Sequence, residues 1–336
     1  MKAWLLQDTT GIEGFSLEDV ETPEPGPDQV RVELVASGIN HLDLWVSRAL
    51  PPPPRLPHIL GADGAGVVDA LGDGVDGLEI GDEVVLDPSL SCGRCPACLR
   101  DEIVRCPEFG ILGEHHPGTL AQKVVVPAAN ALPKPSSLGW ETAGSFGLVT
   151  GTAMRMLDRA RLERGETVLV PGIGGGVSSA AMLLARSRGA RVFVTSRSQA
   201  KIDWALRHGA EAGFDSGTEF SREMKSRGGA DLVVENVGPA TWDQSFRSLK
   251  PGGRMVICGA TTGQKVELTL PVLWFKELEL IGSTMSSHSQ FARTLHLVAT
   301  GEVPAPVDSV FEFDRLPDAL HHLEAGEQMG KVVISR

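Results

Sequence analysis

Two hydrophobic patterns divide the chain. In the first half, short Val-rich runs bounded by Gly, Pro and Asp predict β-strands at Val30–Val35, Gly64–Val68, Glu83–Leu86 and Gln122–Val126. The stretches Glu21–Gln29 and Leu50–Pro57 read as loops, because their prolines cannot join a ladder. In the second half the period changes. A buried strand at Thr167–Gly172 leads through a Gly-rich turn into a helix, "VSSAAMLLARSRG", that ends at Gly189. A strand at Arg191–Ser196 and a helix capped by Gly209 follow, then strands at Ala230–Gly238, Gly252–Ala260 and Leu278–Ser283. Near-continuous apolar strands alternating with helices predict an α/β fold, a doubly wound parallel sheet covered on both faces.

Length and charge narrow the class. At 336 residues the chain is long for one core, so two domains are expected. Apolar residues at 42% and charged residues at 22% mark a globular chain. A formal net charge of -12 argues against a nucleic-acid surface, which needs clustered Lys and Arg. No apolar run approaches the roughly 18 residues that span a bilayer, so no membrane role is expected. The opening "MKAWLLQDTT" lacks a signal-peptide pattern, and the expected location is cytoplasmic.

Four cysteines, Cys92, Cys95, Cys98 and Cys106, are spaced C-x2-C-x2-C-x7-C. Thiolates at every third position wrap one ion through a tight loop, and a fourth from the next turn completes a tetrahedron. That is the pattern of a structural zinc site. Arg94, Arg100 and Arg105 are placed to offset part of the thiolate charge. Two disulfides or four free buried thiols are the alternatives this spacing leaves.

The turn "PGIGGGVSSAA", Pro171–Ala181, lies between a predicted strand and a helix. Its Gly174, Gly175, Gly176, Val177 and Ser178 are candidates to cradle a pyrophosphate at the helix N-terminus. The G-x-G-x-x-G fingerprint is incomplete, since its third glycine position holds Ser178. A helix start that binds nothing is the alternative. An NAD enzyme places an acid about 20 residues downstream to bond the ribose. Here that corner holds Thr195, Ser196, Arg197, Ser198 and, one turn on, Lys201, with nothing acidic. A hydroxyl, a guanidinium and an ammonium suit a 2′-phosphate, so NADP(H) is expected over NAD(H). Plain solvation of Arg197 and Lys201 is the alternative.

Together these features resemble the medium-chain dehydrogenase/reductase superfamily from Lys2 to Ser335. The segments that carry the likeness are "SGINHLDLWV", "LGADGAGVV", "LVTGTAM", "IGGGVSSAA" and "GKVVIS". The cysteine loop is similar to the structural zinc lobe of its zinc alcohol dehydrogenases. The resemblance implies a GroES-like β-rich catalytic domain over 1–150 and 286–336, with the zinc lobe at 91–107, and a Rossmann NADP(H) domain over 151–285. It also implies a homodimer or homotetramer joined edge to edge through the Rossmann sheets, acting on a small-molecule substrate.

By the same resemblance Asn40 lies beside the nicotinamide, and Thr150 buttresses the ring. His41 and Lys331 meet the pyrophosphate, Asn236 and Val237 the ribose, and Gly259, Ala260 and Thr284 the carboxamide end. Zinc alcohol dehydrogenases hold a second, catalytic zinc. The three positions that match its ligands here carry Asn40, Ala62 and Phe146, which cannot replace thiolate and imidazole. His41, Asp43, His58, Asp63 and the pair His115–His116 lack the spacing to rebuild the site. The expected activity is hydride transfer from NADPH to a quinone or activated C=C bond without a catalytic zinc. An alcohol dehydrogenase with an atypical metal site and a non-catalytic NADPH-binding protein are the alternatives.

Overall fold

A computed structural model describes every residue, Met1 to Arg336. The chain forms two compact units, Met1–Leu148 with Ser286–Gly301 and Ala305–Arg336, and Val149–Met285 with Glu302–Pro304.

The first unit is built on Gln29–Ile39. One side of this strand pairs antiparallel with Ala65–Leu71. The other side takes Lys123–Pro127 along its first half and Lys331–Ser335 along its second. Gln29, expected in a loop, already pairs with Pro127. Period-2 alternation sends Val30, Val32 and Leu34 into a core with Val68, Val84, Leu86, Val124 and Val126. The C-terminal strand thus belongs to the N-terminal sheet, because its apolar face needs that partner.

The second unit holds six parallel strands: β1 (Thr167–Val170), β2 (Arg191–Ser196), β3 (Ala212–Asp215), β4 (Ala230–Glu235), β5 (Leu249–Ile257) and β6 (Glu279–Gly282). Their order is β3-β2-β1-β4-β5-β6. This is the doubly wound α/β topology that the pattern predicted, and its order reverses between β1 and β4. Ligands of such sheets bind outside the carboxyl ends of the strands at that reversal. β1 stops short of the predicted Gly172, which turns the chain with φ +69. The pattern did not single out β3, whose "AGFD" offers one large apolar side chain. Leu169, Phe193, Val233 and Met255 from the sheet pack with Phe220, Met224, Trp242 and Phe246 from helices. No helix of either unit is long and apolar enough to cross a membrane.

Candidate functional site

The cysteine loop folds as a surface lobe between the short paired strands Ser89–Leu90 and Gly110–Ile111. All four thiols are free, and their sulfur atoms lie within 4.8 Å of one another. Neighbouring sulfurs are 3.5 to 3.9 Å apart, far beyond a disulfide bond. A tetrahedron with Zn–S near 2.3 Å places sulfurs about 3.8 Å apart, so the four residues fit one zinc ion. Backbone N–H groups of Arg94 and Cys95 hold the Cys92 thiol down to about 6, whereas burial and the neighbouring Cys92 and Cys98 sulfurs outweigh backbone donors and push Cys106 up to about 11. The arginines act differently from expectation. Arg94 faces Glu108, and Arg100 and Arg105 both face Glu102, so their charge is largely answered by carboxylates.

The lobe is clasped to the helix His288–Ala299. Ser287 Oγ donates to Asp101 Oδ2 at 2.6 Å, and His288 Nδ1 meets buried Asp87 at 2.6 Å. Burial opposes a charge on His288, but the Asp87 carboxylate raises its pKa on balance.

In the second unit, the glycine turn takes backbone angles that only glycine adopts readily. Gly172 and Gly174 take φ +69 and +102, and Gly176 opens the helix Gly176–Ser187. A Cβ on Gly174 would stand 3.0 Å from Lys201 Nζ, so the ammonium folds over the turn where an anion is expected. A Cβ on Gly172 would meet Val237 at 2.7 Å, and one on Gly259 would meet the Asn236 carbonyl at 3.0 Å. The structure thereby gathers Gly172 to Ser178, Lys201, Asn236, Val237, Gly259 and Ala260 around the carboxyl ends of β1, β4 and β5. Ser196 ends β2 with its Oγ accepting the Ser198 N–H, and Arg197 beside it is exposed. Thr284 is exposed just beyond β6, and Thr150 is buried in the helix Gly147–Arg159. The positive turn, the glycine cradle and the helix start fit a dinucleotide, which would supply hydride.

In the first unit Asn40, Asp63 and Lys331 meet in a buried cluster, each 6% exposed or less. Lys331 Nζ donates to Asn40 Oδ1, to Asp63 Oδ2 at 3.1 Å and to the Ile39 carbonyl at 3.0 Å. The Asn40 amide in turn donates to Asp63 Oδ2 at 3.1 Å. Asp63 Oδ1 accepts the Leu148 N–H at 2.6 Å. Both polar atoms of Asn40, the residue that the resemblance sets beside the nicotinamide, are thus engaged by buried Lys331 and Asp63. Neighbouring Asp43 accepts the N–H groups of Asn40 and Gly61 at 2.8 and 2.9 Å. Burial raises its pKa to about 6, although both N–H donors pull it down. His41 opens the helix His41–Val46 beside this cluster, with Trp45 on its ring at 6.2 Å. Of the other two positions that the resemblance matches to catalytic-zinc ligands, Ala62 is buried, and Phe146 stacks on Phe291 at 5.9 Å.

Sequence reasoning missed two groups. Glu235 carried a signal, an acid at the end of an apolar strand. His288 carried none, since its partner Asp87 is 201 residues away.

Comparison with known proteins agrees with this geometry. Residues 26–136 match the alcohol dehydrogenase GroES-like domain, and residues 176–300 match the zinc-binding dehydrogenase family. An acryloyl-coenzyme A reductase of Sulfurisphaera tokodaii is 29% identical, with 96% of each chain covered. An alcohol dehydrogenase of Schizosaccharomyces pombe is 30% identical, covering 96% of this chain and 94% of its own. The crystal structure of an NAD-dependent alcohol dehydrogenase superposes with a TM-score of 0.96 at 39% identity over 100% of both chains. The chain therefore belongs to the medium-chain dehydrogenase/reductase superfamily, in its zinc-type alcohol dehydrogenase group, and is an NAD(P)-dependent oxidoreductase with a four-cysteine structural zinc site.

Proposed function

We propose that this enzyme uses NADPH to reduce an electron-poor acceptor, a quinone or a C=C bond conjugated to a carbonyl or thioester, without a catalytic zinc. The Lys331–Asn40–Asp63 cluster carries this reading. Where zinc alcohol dehydrogenases place their ligands, this chain has an amide committed to an ammonium and a carboxylate, a methyl group and a stacked phenyl ring. That donor set offers no Lewis acid to hold a developing alkoxide. A conjugated acceptor needs less help, because the charge left by hydride addition spreads into an enolate. The acryloyl-coenzyme A reductase relative supports this class of acceptor. The two alcohol dehydrogenases support the second reading, alcohol oxidation at an atypical metal site.

One set of measurements separates them. Zinc should count as one per chain. Quinones, 2-alkenals or enoyl thioesters should oxidise NADPH at a rate that a chelator leaves unchanged. Two zinc ions, with alcohol oxidation abolished by chelator, would overturn the proposal. NADPH should bind about 10-fold or more tightly than NADH, as expected for charge-assisted bonds to a 2′-phosphate, and Arg197→Ala should erase the difference. Tighter NADH would refute the cofactor assignment.

The enzyme is further proposed to work as a homodimer or homotetramer. β6 is the open edge of its sheet, and the helix Leu270–Phe275 before it leaves Leu270, Trp274 and Phe275 exposed, Phe275 at 82%. An open edge beside bare aromatic surface calls for a partner. Sedimentation should return twice or four times the 35.7 kDa chain mass; a monomer at micromolar concentration contradicts this.

A further inference from the structure

Glu235 ends β4 with its side chain wholly buried, at 0% exposure. A carboxylate cut off from water must collect donors or weaken the fold. Glu235 takes them from the segment that follows it. Its Oε1 accepts the N–H of Val237 at 2.8 Å and of Gly238 at 3.1 Å. Thr241 Oγ1 lies 3.0 and 3.1 Å from its two oxygens, and Ser245 Oγ donates at 2.7 Å. All these donors are neutral. Residues 236–238 are thus pulled down onto one buried acid while Gly238, at φ +92, turns the chain into the helix Pro239–Ser248.

The same segment is where three loops meet. Ser178 Oγ donates to the Pro171 carbonyl at 2.9 Å, so its lone pair is free to accept the Asn236 amide at 3.0 Å. Ser178, at the third glycine position of the fingerprint, therefore ties the phosphate turn after β1 to the loop after β4. From the loop after β5, Thr261 Oγ1 donates to the Asn236 carbonyl at 3.1 Å. The Thr262 N–H and hydroxyl both reach the Val237 carbonyl at 2.8 Å. The glycines confirm how close the loops lie, since a Cβ on Gly172 or Gly259 would strike this segment.

We infer that Glu235 is a positioning residue for the dinucleotide. It acts through Asn236 and Val237, holding the crevice at the sheet's reversal point in its binding shape before the cofactor arrives. The entropy of ordering those loops is then lost on folding rather than on binding, which leaves affinity higher. The inference rests on dinucleotide binding at this crevice and is independent of the acceptor or of the choice between NADPH and NADH.

Glu235→Gln tests it. Glutamine keeps the volume but turns an NH2 group towards donors that need an acceptor, so residues 236–238 must shift. Kd for both NADPH and NADH should rise about 10-fold or more. The measurement is made by fluorescence of the bound reduced nicotinamide, well below the unfolding temperature, on protein with native near-ultraviolet circular dichroism. The emission shift of bound nicotinamide should shrink as its pocket loosens. Glu235→Asp keeps an acceptor-only head and should recover most of the affinity. If Glu235→Gln does not fold, Thr241→Val and Ser245→Ala each remove one neutral donor and should weaken both dinucleotides about 3-fold. Folded variants with parental Kd and emission would overturn the inference and leave Glu235 a purely structural acid. If neither dinucleotide binds the parent enzyme, the premise itself is at fault.

Discussion

Replacing Lys331 by Met is expected to destabilise the protein by about 3–5 kcal/mol, the range for a buried pair stripped of one partner. The ammonium answers three acceptors at once: Asp63, Asn40 Oδ1 and the Ile39 carbonyl. Without it, Asp63 stays 1% exposed with only neutral donors, the Leu148 N–H and the Asn40 amide. Most of the loss is the penalty of the orphaned carboxylate rather than the worth of the pair. A second change that removes the charge should therefore repair it. The double variant Asp63→Asn/Lys331→Met should recover more than half of the stability, because the asparagine oxygen still accepts from Leu148 and neither charge of the pair remains to desolvate. Urea unfolding of the three variants, read at constant m, checks both statements. A single variant within about 1 kcal/mol of the parent would show that the cluster carries little energy. A double variant no better than the single one would place the damage elsewhere.

Cys106→Ala should release the zinc and cost the enzyme its lobe. Cys106 is the ligand farthest along the chain from the other three, and its loss leaves a site whose remaining thiolates lie in one short loop. Zinc binding supplies about 10–16 kcal/mol in small zinc-folded peptides, so the lobe has no comparable substitute in its own core. The residues it would rely on are few: Ile103 is buried, while Leu99 is 76% exposed. Thermal unfolding should begin at least roughly 10 °C lower, equivalent to about 3–5 kcal/mol for a domain of this size. Limited proteolysis should cut first between Gly93 and Phe109. The clasp of Asp101 and Asp87 on Ser287 and His288 should carry the damage to the start of the following helix, visible as faster amide exchange there. Unchanged zinc content and an unchanged melting curve would rule out a metal-braced lobe.

Much of this was legible beforehand where the physics is local. The cysteine spacing closes a loop only a few residues wide, so the chain itself brings the thiols together, and the structure finds them within 4.8 Å. The strand–turn–helix run at Thr167–Ser187 follows from a buried β segment, glycines that accept positive φ and a helix-forming sequence. The pattern was weaker where side chains are short, as in β3, and where a strand such as Gln29–Ile39 runs on because different partners cover its two halves.

The chain order by itself determined the superfamily, the zinc lobe and the glycine turn, each through residues that lie near one another along the backbone. Only the folded structure decided which groups Asn40 touches, since its partners Asp63 and Lys331 are 23 and 291 residues away. The same holds for Glu235, whose burial no local pattern states, and for His288, matched to Asp87 by the fold alone. A side chain's neighbours across such separations depend on sheet register and helix packing, and a buried charge is defined by those neighbours.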